Sequence, residues 1–375
     1  MKPENPFLVS GYHSPEYFCD REEETGRVIR SLANERNITI FSIRRLGKTG
    51  LIEHVFNRLK SDKKIHLFYI DILSTTGLNG FVNLFAATLL GKLETKPEKF
   101  IKKIGEIFSG IRPVISFDPH TGAPTLQINI QSAEDADRSL EKIFVYLKES
   151  RKKILIAIDE FQQITNYPEK NVEAVLRTNI QRAAGVNFIF SGSQKHTLLS
   201  IFSKYGNPFY QSTEMMQLER IPKKDYSEFI ISKFDKGKKK ISGSTVVKIL
   251  EICRLHTYYV QFLCNRLYGL KDSTITESLV KNTLESILKE NEPVYINYRN
   301  LMTGYQWKVL TAIAIEGNAK LITSKDFIAK HKLGTPSSVH TAVKALLSRE
   351  MIYKEEVDYF IYDVFLERWL ESITV

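Results

Sequence analysis

The chain has few cysteines and no long apolar run. It contains 3 cysteines, Cys19, Cys253 and Cys264, which are widely spaced and lack a CxxC pair. We therefore expect reduced, mostly buried thiols and no disulfide framework. The most apolar stretch, around residues 81–90, is interrupted by Asn83 and is too short to span a membrane. The N-terminal residues do not resemble a signal peptide, so we expect a cytoplasmic protein without a membrane segment.

Several reactive arrangements are also missing. The sequence has no metal cluster with zinc-like spacing, no Ser-His-Asp or Cys-His arrangement, and no repeat, heptad pattern or low-complexity tail. Its length of 375 residues allows two or three domains with well-buried cores.

Acidic residues are outnumbered, and the formal net charge of +10 raises the question of nucleic-acid binding. Residues 201–250 carry 10 Lys and Arg against 5 Asp and Glu, whereas residues 301–375 carry 9 against 9. Much of the basic excess therefore lies near the run Lys233 to Lys240. We interpret this run as a solvated loop between helices.

Continuous apolar runs predict the strands of a parallel sheet covered on both faces. They occupy residues 38–41, 66–71, 154–158 and 186–190, with helical patterns between them and a last strand before Arg220. Two apolar stretches on either side of a turn-rich link predict an inserted β-hairpin at about residues 112–131. We expect this α/β domain to cover residues 1–220.

The segment Ser42-Ile-Arg-Arg-Leu-Gly-Lys-Thr49 follows the first strand and opens a helical run. This pattern is typical of a phosphate-binding loop, in which backbone N–H groups and the helix N-terminus face the phosphates. Lys48 would neutralise the β- and γ-phosphates, and the Thr49 hydroxyl would ligate Mg²⁺. Ser42 replaces the usual first glycine. The residues expected at the nucleotide are Ser42, Arg44, Arg45, Leu46, Gly47, Lys48, Thr49 and Gly50.

A pair of carboxylates ends the apolar strand at residues 154–158. A strand buried on both faces places charges only at its carboxyl end, where nucleotides bind in such sheets. We expect Asp159 to hold Mg²⁺ through water and Glu160 to orient the water that attacks the γ-phosphate. Lys48 and Glu160 are therefore the candidate catalytic residues.

The remainder of the chain predicts two further domains. Residues 221–298 have a helical pattern without a convincing strand, with Pro222 and Pro293 as boundaries, and we expect an all-α lid. Residues 299–375 predict three helices and a hairpin, which is a winged helix. Its third helix should begin with Thr335 as N-cap and Pro336 at the first helical position.

These motifs together resemble the archaeal-type ATPases that are related to STAND and origin-recognition AAA+ proteins. The double arginine of the phosphate loop and the form Asp159-Glu-Phe-Gln162 are fairly specific to that group. The resemblance is carried by Phe18-Cys-Asp-Arg-Glu-Glu-Glu24, Arg44-Arg-Leu-Gly-Lys-Thr49, Tyr69-Ile-Asp71, Asp159-Glu-Phe-Gln162 and Ser191-Gly-Ser193. It implies a P-loop NTPase (AAA+-like) sheet, ATP or ADP with Mg²⁺ as cofactors, Phe18 near the adenine, and Ser191 or Ser193 as the sensor near the γ-phosphate.

Two departures from the family pattern concern the switch. The lid of this group often carries a His-Pro pair that touches the nucleotide; here His256 is present, but Thr257 replaces the proline. His256 is either a nucleotide contact or a histidine at a helix end. The wing and its sequel lack the histidine that many STAND switches use to sense ADP. No arginine finger can be chosen among Arg177, Arg182 and Arg220.

We expect a slow, ATP-driven molecular switch in which the nucleotide state controls the lid and the winged helix, with a protein partner at the winged helix. The alternative is a DNA-binding AAA+ ATPase. A winged-helix reader would depend on Lys344, Arg349 and His340, whereas weak binding by the lid would depend on Lys236, Lys238, Lys239 and Lys240. Self-association is left open. A nucleotide-binding scaffold without turnover is disfavoured by the intact Glu160.

Overall fold

The computed structural model describes residues 3–93, 97–108, 113–117, 124–128, 132–150 and 152–373. The chain divides into two units: a sheet unit, Gly11–Glu219, and a helical unit, Met1–Ser10 with Arg220–Val375. The predicted first domain begins at residue 1, whereas the described residues 3–10 group with the helical unit. Within the described ranges, no helix has both the length and the apolar character needed to cross a membrane.

A parallel sheet forms the centre of the sheet unit. The strands in chain order are β1 (Ile38–Phe41), β2 (Ile65–Asp71), β3 (Pro113–Phe117), β4 (Pro124–Ile128), β5 (Lys153–Asp159), β6 (Val186–Gly192) and β7 (Glu214–Gln217). Strands β2, β5, β6, β1 and β7 lie side by side in that order, and all neighbours run parallel. The α/β class with a parallel sheet, predicted from the apolar runs, is confirmed.

Helices cover both faces of this sheet. They are α1 (Glu22–Ala33), α2 (Lys48–Leu59), α3 (Leu78–Leu93), α4 (Pro97–Ile107), α5 (Ala133–Glu149), α6 (Val172–Arg182) and α7 (Lys195–Ser203). Alternate residues of β5 enter different cores, because successive side chains of a strand point to opposite faces. Ile156 packs in the cluster with α3 and α5, and Leu155 packs in the cluster with α1 and α2. This two-sided burial explains why the strand is an unbroken apolar run.

Strands β3 and β4 pair antiparallel, with Pro113 opposite Ile128 and Phe117 opposite Pro124. The end of β4 is fixed to α3, because the Asn83 side chain accepts from the backbone N–H of Ile128 at 2.5 Å and donates to its carbonyl oxygen at 3.2 Å. The link at residues 118–123 and the flanking positions 112 and 129–131 of the predicted hairpin lie outside the described residues.

The lid of the helical unit consists of α8 (Lys223–Lys236), α9 (Gly243–Ile252), α10 (Thr257–Tyr268) and α11 (Glu277–Asn300), with two short strands, β8 (Lys240–Ile241) and β9 (Thr274–Ile275). The prediction of a lid without strands is therefore wrong in detail, since β8 and β9 pair in parallel. Helix α11 continues through Pro293 to Asn300, because a proline removes one N–H donor while the neighbouring turns remain helical.

The C-terminal elements form the predicted winged helix. They are α12 (Gly304–Glu316), α13 (Lys325–His331), α14 (Pro336–Ser348), β10 (Ile352–Glu355), β11 (Asp358–Ile361) and α15 (Val364–Ser372). The Thr335 side chain caps α14 by accepting from the backbone N–H of Ser338, and β10 pairs antiparallel with β11. The last helix, α15, is an addition that the sequence analysis does not predict.

Polar and aromatic contacts join the lid to the winged helix within the helical unit. The Arg254 guanidinium pairs with the fully buried Glu367 carboxylate of α15 and also donates to the carbonyl oxygen of Gly317. The ring of Tyr259 on α10 meets Phe365 edge-on at 4.9 Å between centroids. Breaking a buried, hydrogen-bonded pair leaves an uncompensated charge, so these contacts favour one arrangement of the lid and the winged helix.

Candidate nucleotide site

The loop between β1 and α2 has the backbone shape of an anion cradle. Gly47 has φ of 95° and Arg45 has φ of 67°, both in the left-handed region. A non-glycine residue there is uncommon and costs free energy, and such residues concentrate at functional sites. The loop leads directly into α2, which begins at Lys48, so the partial positive charge of the helix N-terminus lies at the loop.

The Lys48 ammonium is buried at the base of this loop. Its Nζ donates to Oγ of Ser42 at 3.1 Å and to the carbonyl oxygens of Ile43 at 3.3 Å and Ser42 at 3.4 Å. Burial lowers the pKa of Lys48 to about 8, although the charges of Asp159 and Glu160 oppose this shift. The loop thus holds a desolvated cation that an anion would stabilise.

Asp159, at the end of β5, accepts hydrogen bonds at both carboxylate oxygens. Oδ2 accepts from the Thr49 hydroxyl at 2.8 Å and from the Tyr69 hydroxyl at 2.6 Å. Oδ1 accepts from the Ser191 hydroxyl at 2.5 Å and from the backbone N–H of Glu160 at 3.0 Å. These donors come from α2, β2, β6 and the residue after β5, because the carboxyl ends of neighbouring parallel strands meet at one edge of the sheet.

Tyr69 has no assigned role in the sequence analysis, although its motif carries part of the family resemblance. Burial and the charge of Asp159 raise the pKa of its hydroxyl, so it remains protonated and donates to the carboxylate. Its motif partner Asp71 lies opposite Asp159 across the β2–β5 pair, and burial raises the pKa of that carboxyl. Only the pairing of β2 with β5, which the sequence does not specify, brings Tyr69 to this place.

Glu160 is held next to Asp159 by a separate set of donors. It has a left-handed φ of 55° and precedes a 3-10 turn, Phe161–Asn166. Its Oε2 accepts from the Ser193 hydroxyl at 2.9 Å and from the side-chain amide of Gln162. The Arg44 Nε donates to the same Ser193 hydroxyl at 3.3 Å. Ser193 therefore connects the phosphate loop to Glu160, while Ser191 contacts only Asp159 of the two carboxylates.

Phe18 lies against the first turns of α2. Its ring stacks on His54 with 4.4 Å between centroids, and a side chain added at Gly50 would contact it at 3.5 Å. The Tyr12 hydroxyl lies 2.9 Å from Nδ1 of His54, and burial lowers the pKa of that imidazole. These rings form an apolar surface beside the phosphate loop. The contact of Phe18 with adenine, implied by the resemblance, remains a prediction.

Not all predicted residues lie in this network. Leu46 is buried and Arg45 is exposed in the loop. His256 belongs to the helical unit, where its buried ring lies 3.4 Å from both the Arg220 guanidinium and the Tyr353 hydroxyl. Its contact with nucleotide stays a prediction. Arg220, a candidate arginine finger, also pairs with Glu355 at 3.1 Å.

The residues present fit a magnesium nucleotide. Mg²⁺ prefers oxygen ligands and usually binds through one or two protein oxygens, phosphates and water. Thr49 and Asp159 place a hydroxyl and a carboxylate 2.8 Å apart at the phosphate loop. In the described part of the chain, no group of three or more His, Cys, Asp or Glu residues could hold a metal by itself.

We predict that Tyr69→Phe lowers the free energy of unfolding of the native protein by about 1–3 kcal/mol, because it removes one donor from a buried carboxylate. Denaturant unfolding measures this change. The control is Tyr205→Phe, since the Tyr205 side chain is 86% exposed. Equal stability of the two variants would show that the Tyr69 hydroxyl does not support Asp159.

Comparison with known families gives two matches. Residues 18–190 match the family described as an ATPase domain predominantly from Archaea, and residues 293–372 match a probable winged helix domain. An uncharacterized ATP-binding protein of Methanocaldococcus jannaschii is 29% identical over 201 residues. That match covers 49% of this chain and 48% of the relative, so the chain spans about half the length of that protein.

Solved structures share the fold over nearly the whole chain. The Walker-type ATPase PABY2304 of Pyrococcus abyssi has a TM-score of 0.65 at 18% identity and covers 97% of this chain and 99% of its own. The ORC2 protein of Aeropyrum pernix in its ADPNP–ADP complexes has a TM-score of 0.58 at 13% identity, with 99% of both chains covered. The ORC1 protein of that organism in complex with DNA has a TM-score of 0.51 at 12% identity, covering 98% of this chain and 96% of its own.

At these identities the structural likeness shows the fold alone. The two family matches add the class of protein, and they agree with the resemblance carried by the phosphate loop and the Asp159-Glu160 pair. Residues 18–190 are thus identified as an ATPase domain of the kind found predominantly in Archaea, and residues 293–372 as a probable winged helix domain.

Proposed function

We propose that the protein binds ATP with Mg²⁺ in the cytoplasm, hydrolyses it slowly and acts as a STAND-type switch. In this proposal the nucleotide state controls the lid and the winged helix, and the winged helix binds a protein partner. The observation that carries it is the pair of carboxylates at the end of β5. Asp159 is hydrogen-bonded to Thr49 of the phosphate loop, and Glu160 is linked to Arg44 of the same loop through Ser193.

Each residue would have a separate task in the reaction. Lys48 supplies a buried positive charge for the β- and γ-phosphates, and the backbone N–H groups of the loop bind their oxygens. Thr49 and Asp159 hold Mg²⁺, which neutralises phosphate charge when bound. Glu160 accepts a hydrogen bond from the attacking water and orients it. Phe18 provides an apolar contact for the base.

The joined lid and winged helix support the switch. The Arg254–Glu367 pair and the Tyr259–Phe365 contact connect them inside one unit. We therefore expect both to respond together to the nucleotide state. A partner bound at the winged helix would then sense the same change as the lid.

The second candidate function is DNA binding, and one observation favours it. The outer face of α14 exposes hydroxyl, imidazole and ammonium groups that suit a nucleic-acid backbone, namely Ser337, Ser338, His340, Thr341 and Lys344. The ORC1 protein named above, which has a similar fold, is in complex with DNA. The charge balance of residues 301–375 makes this the weaker proposal.

The basic run of the lid offers fewer exposed cations than its sequence indicates. Lys239 donates to the carbonyl oxygens of Leu270 at 2.5 Å and Asp272 at 2.8 Å, and Lys233 lies over the Phe229 ring. Lys236, Lys238 and Lys240 remain exposed.

Affinity for ATP should fall as the pH rises through about 8. Burial lowers the pKa of Lys48 to about 8 in the free protein, and phosphate oxygens raise it again on binding, so binding takes up a proton above that pH. Below this pKa the affinity for ATP is at its highest and does not change with the protonation of Lys48. Above it the affinity falls by up to about ten-fold per pH unit. Calorimetry in buffers of different ionisation enthalpy measures both effects.

Two variants control this titration. Lys48→Ala should lose tight binding at every pH, because it leaves only backbone donors. The ATP affinity of Lys48→Arg, whatever its magnitude, should not fall as the pH rises through about 8, since arginine stays charged. Native affinity in Lys48→Ala would contradict the phosphate-loop assignment.

Glu160→Gln should bind ATP with native affinity and hydrolyse it about one hundred-fold more slowly, because it keeps the shape and loses the charge that orients water. Asp159→Asn should instead change the dependence on Mg²⁺ concentration. A steady-state phosphate-release assay measures both, with the exposed Glu141→Gln on α5 as a control that keeps native turnover. Native turnover in Glu160→Gln would refute its role.

We expect DNA binding to be weak and centred on the lid. Removing one lysine that binds a DNA phosphate should lower the slope of log affinity against log salt by about one. We would compare Lys236→Gln/Lys238→Gln/Lys240→Gln with Lys344→Gln/Arg349→Gln by fluorescence anisotropy over a salt series. A loss of binding confined to the second variant would favour the DNA-binding alternative over the switch.

A further inference from the structure

Gln162 and Gly192 are motif residues that the proposed function leaves without a role. Gln162 is the last residue of the Asp-Glu-Phe-Gln segment, and Gly192 is the middle residue of Ser191-Gly-Ser193. In the fold these two residues lie in contact. A Cβ added at Gly192 would overlap Oε1 of Gln162 and lie 3.1 Å from its Cδ. The glycine is therefore the residue type that leaves room for the Gln162 side chain.

The Gln162 amide is buried and directed at Glu160. The residue is 4% exposed, and its Nε2 donates to Oε2 of Glu160. Its Oε1 is buried without a hydrogen-bond partner among the described residues. Turning the amide around would place this oxygen against the carboxylate, so the hydrogen bond to Glu160 fixes the orientation. A buried polar atom without a partner is uncommon in native proteins, so the orientation of this amide calls for an explanation, which the hydrogen bond to Glu160 supplies.

The turn that carries both Glu160 and Gln162 is fixed in the core. Phe161, between them, is fully buried and packs on Phe190 with 4.5 Å between ring centroids. The backbone N–H of Gln163 donates to the Glu160 carbonyl oxygen at 2.9 Å. Gln162 and Glu160 therefore belong to one rigid turn. A donor on the same turn keeps a fixed position relative to the Glu160 carboxylate. A residue that held Glu160 in an inactive position and then released it would have to move relative to that carboxylate.

Two side chains donate to the same oxygen of Glu160. Oε2 accepts from Gln162, on the 3-10 turn, and from Ser193, the residue after β6. A carboxylate fixed at one oxygen offers the other in a defined direction. This is the arrangement that a water-orienting group requires, because misplacement of the reacting groups lowers the rate.

We propose that Gln162 is a positioning residue for Glu160, and that Gly192 provides the space for its side-chain amide. The inference rests on the proposed ATPase function, in which Glu160 orients the attacking water. In this role Gln162 acts through Glu160, to which its side-chain amide donates. The Asp159–Gln162 and Ser191–Ser193 motifs would then act together to position Glu160.

The test uses Gln162→Met in the full chain, because methionine keeps the length and volume of the side chain and lacks the donor. Turnover should fall by about ten-fold, the loss expected for a hydrogen bond to a charged group. The dissociation constant for ATP–Mg²⁺ and the unfolding temperature should remain native. The matched control is Gln163→Met, since the neighbouring Gln163 donates to the Thr75 carbonyl oxygen at 2.9 Å instead.

A double-mutant cycle separates positioning from general structure. In a Glu160→Gln background, Gln162→Met should cause no further loss of turnover, because the group it positions is already neutral. An equal fractional loss in both backgrounds would assign Gln162 a structural role and overturn the proposal. Faster turnover in Gln162→Met would also overturn it, since Gln162 would then restrain Glu160.

A second variant tests the same contact from the other side. Gly192→Ala should reduce turnover as Gln162→Met does, by displacing the amide, and it should add little in a Gln162→Ala/Leu198→Ala background, which also removes the Leu198 Cδ1 that the added Cβ would meet at 2.9 Å. Equal losses in both backgrounds would contradict the shared mechanism. If the native protein shows no Mg²⁺-dependent turnover, the ATPase function fails along with this inference. If the native protein hydrolyses ATP and Gln162→Met leaves the turnover unchanged, only the positioning role of Gln162 is contradicted.

Discussion

The site depends on one buried carboxylate. Asp159 is 4% exposed and stands where β5 leaves the sheet, so its charge is stable only if hydrogen bonds replace water. Thr49, Tyr69 and Ser191 supply those bonds from three neighbouring elements. The same bonds therefore stabilise the charge and fix the positions of β2, β6 and the phosphate-loop helix. Asp159 can serve both the fold and the proposed reaction, because a parallel sheet brings the carboxyl ends of its strands together.

The two carboxylates at this edge have different surroundings. Asp159 has donors on both oxygens, whereas Gln162 and Ser193 both donate to Oε2 of Glu160. The first arrangement suits a group that holds its place beside a metal, and the second suits one that presents its other oxygen to water. Ser191 at the end of β6 and Ser193 just after it divide in the same way, since Ser191 contacts Asp159 and Ser193 contacts Glu160. Two serines separated by one residue can thus each donate to one of two adjacent carboxylates.

Local patterns predicted the elements well, and side-chain partners poorly. The apolar runs that became β1, β5 and β6 are buried on both faces, and such burial leaves a direct trace in composition. Tyr69 and Gln162 left no such trace as partners of the acids, because their contacts arise from strand pairing and from a turn. Pro293, a residue type that often ends a helix, lies inside α11, because the surrounding turns remain helical. Helix α15 is stabilised by contacts with the lid, among them the Arg254–Glu367 pair, which no local pattern reveals.

The central claim is that the Lys48 loop and the Asp159–Glu160 pair form one nucleotide site. A crystal structure with a non-hydrolysable ATP analogue and Mg²⁺ tests it most directly. The account predicts β- and γ-phosphates within hydrogen-bond reach of Lys48 Nζ, the metal bound by Thr49 Oγ1, and a water between Glu160 Oε1 and the γ-phosphate. A nucleotide bound elsewhere, or phosphates at the loop with Glu160 turned away from them, would contradict it.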